Sequence, residues 1–136
     1  MTLRLVTQRV ELNAPATEVL RHLTTVQGLL RWMAVDAIVE PEPGGRLQWT
    51  HENGATMVGR FLEVDPPRRL VFAYGWQDNL MGVPPESTTV EIELEEHEGR
   101  TVLTLVHRGI PSEVVDDHEY GWAFFFARLA TANAGG

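Results

Sequence analysis

The chain has 136 residues, 43% hydrophobic and 22% charged, with 19 acidic residues against 11 basic ones and a formal net charge of −8. That length and balance predict one globular domain over residues 1–136 that folds without metal or disulfide, and the absence of cysteine excludes disulfides, thiolate–metal sites and thiol nucleophiles. Every basic residue is arginine, which removes lysine Schiff-base chemistry and the phosphate-binding P-loop, and the acidic balance without a basic stripe speaks against nucleic acid or an anionic membrane as partner.

The first strand is predicted from about Leu3 to Leu12, with Val6, Val10 and Leu12 on one face. No apolar stretch follows Arg4 and Arg9 as a leader segment would, and no run reaches membrane-spanning length, so the cytoplasm is the expected location. Asn13-Ala14-Pro15 reads as a helix start with Pro15 at the first helical position, and Val19 and Leu23 follow one turn apart. A second short helix is expected from about Val26 to Trp32.

Strand signals dominate the middle of the chain. Arg46 to His51 alternates and meets Asn53-Gly54, a hairpin signal whose two turn residues call for positive φ. The partner strand runs from about Ala55 to Val64 and stops at Asp65-Pro66-Pro67. Leu70, Phe72, Tyr74 and Trp76 share one strand face, ahead of a loop from Gln77 to Glu86. Val90, Ile92 and Leu94 then face one way and Glu91, Glu93 and Glu95 the other; His97 to Arg100 turns into a strand bearing Leu103, Leu105 and His107 on one face. A last helix, from about Ser112 to Ala132, brings His118, Trp122, Phe125 or Phe126, and Leu129 to one side to cover the dry face of the sheet. The order is one strand, two short helices, six strands, of which the signals above mark five, and a long terminal helix.

That order, with Val10-Glu11-Leu12-Asn13-Ala14-Pro15-Ala16-Thr17-Glu18-Val19, Leu30-Arg31-Trp32, Gly44-Gly45, the run from Gly59 to Phe72, Leu103 to His107 and Gly121-Trp122, resembles the START-like, helix-grip (SRPBCC) superfamily. Within it the chain is similar to the activator of heat-shock-protein-90 ATPase homologue family. The resemblance implies an α+β helix-grip fold: a curved antiparallel sheet of about seven strands wrapped around a long C-terminal helix, two short helices between strands 1 and 2, and an apolar cavity between sheet and helix. Members of the superfamily include carriers of hydrophobic ligands, cyclases and dehydratases, and stress-related co-chaperone domains, so fold alone does not settle function. The terminal helix is expected to stop near Ala132-Asn133-Ala134-Gly135-Gly136, without the apolar tail many relatives carry, leaving one end of the cavity more open.

The candidate site follows from these placements. Trp32, Trp49, Phe72, Tyr74, Trp76, Trp122 and Phe125 read either as plain core or as a pocket wall, for which the polar handles of Trp and Tyr are suited. His107 reads as a core-edge histidine bonded to a neighbour, or as a polar anchor or general acid–base in the cavity; His118 is a weaker second. His51-Glu52, His97-Glu98 and His118-Glu119 lack the i, i+4 spacing of two ligands on a helix, and no metal is expected. Ser87 and Ser112 lie outside any nucleophile motif, Ser112 reading as a helix cap. Leu80, Met81 and Val83 make the 77–86 loop either a connector packed on the sheet or a lid over a cavity mouth.

The reading places binding ahead of catalysis: a small hydrophobic or aromatic molecule held between sheet and terminal helix, without a cofactor, in a monomer or homodimer. A cyclase- or dehydratase-like enzyme using His107, and a co-chaperone-like interaction domain with a stress-related role, are the alternatives.

Overall fold

The computed structural model, which describes residues 2–134, runs β1 (Leu3–Leu12), α1 (Ala16–Thr24), α2 (Val26–Leu30), β2 (Asp36–Val39), β3 (Arg46–Thr50), β4 (Thr56–Asp65), β5 (Arg69–Tyr74), β6 (Thr88–His97), β7 (Arg100–Pro111) and α3 (Val115–Ala134). The seven strands form one antiparallel sheet in the order β1-β7-β6-β5-β4-β3-β2. Two short helices sit between β1 and β2, and α3 covers the concave face, so the helix-grip architecture implied by the resemblance is the one observed. Gly135 and Gly136, in the expected helix stop, lie outside the described residues.

Register explains which side chains meet. One row across the sheet reads Val6, His107, Val90, Phe72 and Phe61, and all five are buried. Because strand side chains alternate, Leu70, Phe72 and Tyr74 of β5 and Leu103, Leu105 and His107 of β7 share this inner face. The alternate residues of β6 face outward, where Arg69 pairs with Glu63, Glu91 and Glu93, and Arg108 with Glu91. Glu91, hydrogen-bonded first by Arg108, is held below the usual carboxylate range.

Three local readings are corrected. Asp36–Val39 is a strand that no alternation marked: it is four residues long, half-buried and paired only with β3. The Asn53-Gly54 hairpin is not a two-residue turn. His51 N–H reaches Ala55 O and Gly54 N–H reaches His51 O, giving a three-residue loop with positive φ at Gly54 alone, the turn-plus-bulge solution. Ser112 provides no side-chain cap; it begins a short 3-10 turn ahead of α3.

A fourth correction falls at Pro15, which does not take the first helical position: its backbone is extended and it stands just before α1, which starts at Ala16. Its N-terminus borrows an acceptor from the sheet: Glu96 takes the Ala16 N–H at 2.7 Å, and Thr101 donates to Ala14 O at 2.7 Å. The first turn of a helix leaves N–H groups without partners, so a carboxylate there stabilises. Glu96→Ala is expected to cost about 1 kcal/mol, read as a lower urea midpoint at unchanged slope.

Candidate functional site

The inner face of β3 to β5 and the N-terminal half of α3 do not close on one another. Between them lies a cavity of about 410 Å³, within the range of small-molecule sites. Five of the predicted residues line it: Trp49, Tyr74, Trp76, Trp122 and Phe125. Three do not. Trp32 is buried beside Phe126 and donates its indole N–H to His22 O; Phe72 lies against Trp49; His107 sits beneath Tyr74 and Trp122. Phe125 and Phe126 divide the two roles considered for the helix stripe, Phe126 entering the core and Phe125 the cavity wall.

Tyr74 is the hub of the cluster. Its ring lies 4.4 Å from His107, 5.6 Å from Trp76, 5.9 Å from His118, 6.0 Å from Trp122 and 6.2 Å from Trp49, centroid to centroid. All five pairs are edge-on or tilted, the arrangement that aromatic quadrupoles favour. Burial raises the phenol's pKa, with no hydrogen bond among the causes. The hydroxyl therefore stays a neutral donor at the cavity wall without a partner among the described residues.

Three tryptophans each donate to a histidine: Trp49 to His51 Nε2, Trp76 to His118 Nε2 and Trp122 to His107 Nδ1, all at 3.1 Å. An indole N–H only donates, so each accepting nitrogen is unprotonated. His118 Nδ1 then donates to Val114 O at 2.8 Å. At His107 the accounting is complete: the Thr88 hydroxyl gives its one proton to Tyr74 O and accepts from His107 Nε2, both at 2.8 Å. His107 is fixed as the neutral Nε2–H tautomer with both nitrogens occupied. Burial pushes its pKa down to about 3, with His118 acting in the same direction. Burial also lowers His118 against the pull of Val114 O and Asp117, and lowers His51 against a backbone contact with Met33, Arg128 adding to the fall.

The rim is built from segments the sequence reading left unassigned or undecided. Met33, Ala34 and Val35, in the turn after α2, form one edge. Leu80 and Met81 form another; Val83, by contrast, is buried, so the 77–86 loop is both packed connector and cavity rim. Asp78, Asn79 and Met81 all have positive φ there. Asp and Asn visit that region readily, whereas Met81 bears a cost of about 1 kcal/mol, strain placed at the edge of a site. His51 and Arg128 were also missed as lining residues. Strand parity puts His51 on the face of Leu47 and Trp49, and helical spacing puts Arg128 with Asp117, Gly121 and Phe125 on a stripe beside the buried one.

Among the described residues, no group of three or more His, Asp or Glu is placed to hold a metal ion, and no helix is long and apolar enough to cross a membrane.

Comparison with known proteins places this arrangement. No curated protein sequence matches the chain. Among solved structures, a Mesorhizobium loti protein superposes with a TM-score of 0.83 at 19% identity, covering 94% of this chain and 95% of its own. The Aha1 dimer of Colwellia psychrerythraea gives 0.80 at 20%, covering 96% of each. An AHSA1-like protein of Rhizobium etli is 38% identical over 98% of this chain and 84% of its own, with a TM-score of 0.74. The model of the family described as Activator of Hsp90 ATPase homolog 1-like protein matches residues 13–133, and with that span and the observed helix-grip architecture the chain belongs to this family.

Proposed function

We propose that the protein is a binding module that holds a small, flat, mostly apolar molecule in the cavity between β3–β5 and α3. The observation that carries this reading is the cavity itself: about 410 Å³ walled by Trp49, Tyr74, Trp76, Trp122 and Phe125, with the Tyr74 hydroxyl a donor among those rings that has no partner among the described residues. Aromatic walls supply contact area, and a single polar group fixes orientation. Binding is favoured over His107-based catalysis because a general base needs a free nitrogen lone pair and a pKa near the working pH. His107 has neither: both nitrogens are bonded, burial keeps it neutral, and it does not line the cavity.

At about 0.3 kcal/mol per heavy atom, a ligand of roughly 25 atoms binds with low-micromolar affinity. Native mass spectrometry of the purified protein, followed by tryptophan-fluorescence titration with apolar and aromatic compounds, tests this. Three of the four indoles line the cavity, so the expected result is a saturable change in emission without turnover. No retained mass and no response from any compound would refute a ligand cavity.

A further inference from the structure

The charged groups at the cavity mouth are not equivalent, and their arrangement narrows the ligand class. Arg128 is the one cation among the lining residues. Among the described residues, six of the eleven arginines are in ion pairs, but Arg128 has no carboxylate within reach. Its guanidinium instead lies over the Phe125 ring, 5.8 Å from the centroid, and Phe125 packs on His51 at 4.9 Å. Stacking holds the head group beside the opening while leaving its donors unused. Nor is Arg128 placed to complement the helix dipole: α3 continues to Ala134, so Arg128 precedes the last turn, to which that effect is confined.

A second cation stands close by. Phe124 and Arg128 also border a shallower groove whose other side carries Arg31, itself held by a bond to Ala132 O at 3.2 Å. The two acids at the mouth, Glu52 and Asp117, are exposed. Asp117 lies in the first turn of α3, where the helix N-terminus accounts for a negative charge.

Resting on the binding function proposed above, we propose that the cavity is built for an aromatic monoanion: a flat ring system lodged against Trp49, Trp76 and Trp122, carrying one carboxylate that meets Arg128 at the mouth. The guanidinium fork matches a carboxylate in two parallel hydrogen bonds, and the surrounding rings shield that contact more than open solvent does.

Calorimetric titration at neutral pH with 2-naphthoate, 2-naphthamide and 2-naphthylmethylamine, which share a ring system and differ in charge, tests the proposal. The acid is expected to bind about tenfold more tightly than the amide, the worth of about 1.4 kcal/mol, and the amine more weakly than either. Molar salt is expected to shrink the preference, Arg128→Gln to erase it, and Arg128→Lys to retain part of it. Acid and amide binding within twofold of each other, the amine binding most tightly, or a preference that survives Arg128→Gln each overturns the monoanion assignment while leaving the cavity as a binding site. Failure of all three compounds to bind overturns the cavity reading as well.

Discussion

Lowering the pH from 7 to 5 is expected to remove roughly 2 kcal/mol of folding stability through His107 alone, and roughly 4 kcal/mol by pH 3. In the unfolded chain this imidazole takes up a proton near its ordinary value of 6.5; in the folded protein burial defers that to about 3. Between those values the unfolded state binds more protons, so stability is complete above pH 6.5 and falls as the pH falls. His51 and His118 are displaced in the same direction, which steepens the loss. Glu40 and Glu91, whose carboxyls are held below 4.5, contribute only under that value, so the window from 6.5 to 5 belongs to the histidines. Urea midpoints at pH 7.5, 6 and 5 measure the effect. His107→Gln is expected to be less stable at pH 7.5, because the Trp122 and Thr88 contacts are degraded, yet to show a flatter pH dependence. A wild-type midpoint unchanged between pH 7.5 and 5 would contradict the assignment of His107 as a buried neutral group.

Gly75→Ala is expected to cost about 3 kcal/mol or to prevent folding outright. A Cβ at this position would stand 1.8 Å from Pro84 O, with Pro84 C and Pro85 Cα also inside 3 Å. All three are backbone atoms and cannot swing aside. Gly75 is also tied to β4, accepting the Val58 N–H at 2.9 Å, so the strain cannot be relieved by moving the opposite way. Because Gly75 lies between Tyr74 and Trp76, both of which line the cavity, the substitution disturbs the site along with the fold. Thermal denaturation, with near-ultraviolet circular dichroism to report on the aromatic cluster, separates the outcomes. A variant as stable as wild type with an unchanged aromatic spectrum would show that the loop at Pro84 is free to retreat.

Most of the sheet was legible because its strands are wet on one side and dry on the other. The alternation through Glu91, Glu93 and Glu95 and the shared face of Leu70, Phe72 and Tyr74 follow from the two-residue period of a strand and need no tertiary information. Where a strand lacks that contrast, the signal fails. Asp36–Val39 has one exposed and three half-buried residues, and its existence depends on the neighbouring edge of β3. The site was legible as a set of rings but not as a space. Trp32, Phe72 and Trp49 are chemically interchangeable on the page, and which of them meets the cavity depends on a few ångströms of separation between sheet and helix. The 3.1 Å bonds from Trp122 to His107 and from Trp76 to His118 join residues 15 and 42 positions apart, a relation that no local pattern encodes. Arg128, by contrast, had a readable sign: it is the one arginine in α3, whose other charged residues are Asp116, Asp117 and Glu119.

The pairing of β1 with β7 has a consequence for the order of assembly. Leu12 meets Thr101 and Leu3 meets Pro111, so this ladder closes a loop of about ninety residues or more, whereas β3 and β4 are joined by three. By chain statistics the longer closure costs about 3 kcal/mol more entropy. The meander from β3 to β7, formed by neighbours in sequence, is therefore expected to gather first, with the opening strand recruited afterwards. During synthesis α3 leaves the ribosome after all seven strands, so the sheet's share of the aromatic wall, Trp49, Tyr74 and Trp76, is exposed to water, and to any passing apolar molecule, before the helix that carries the rest arrives.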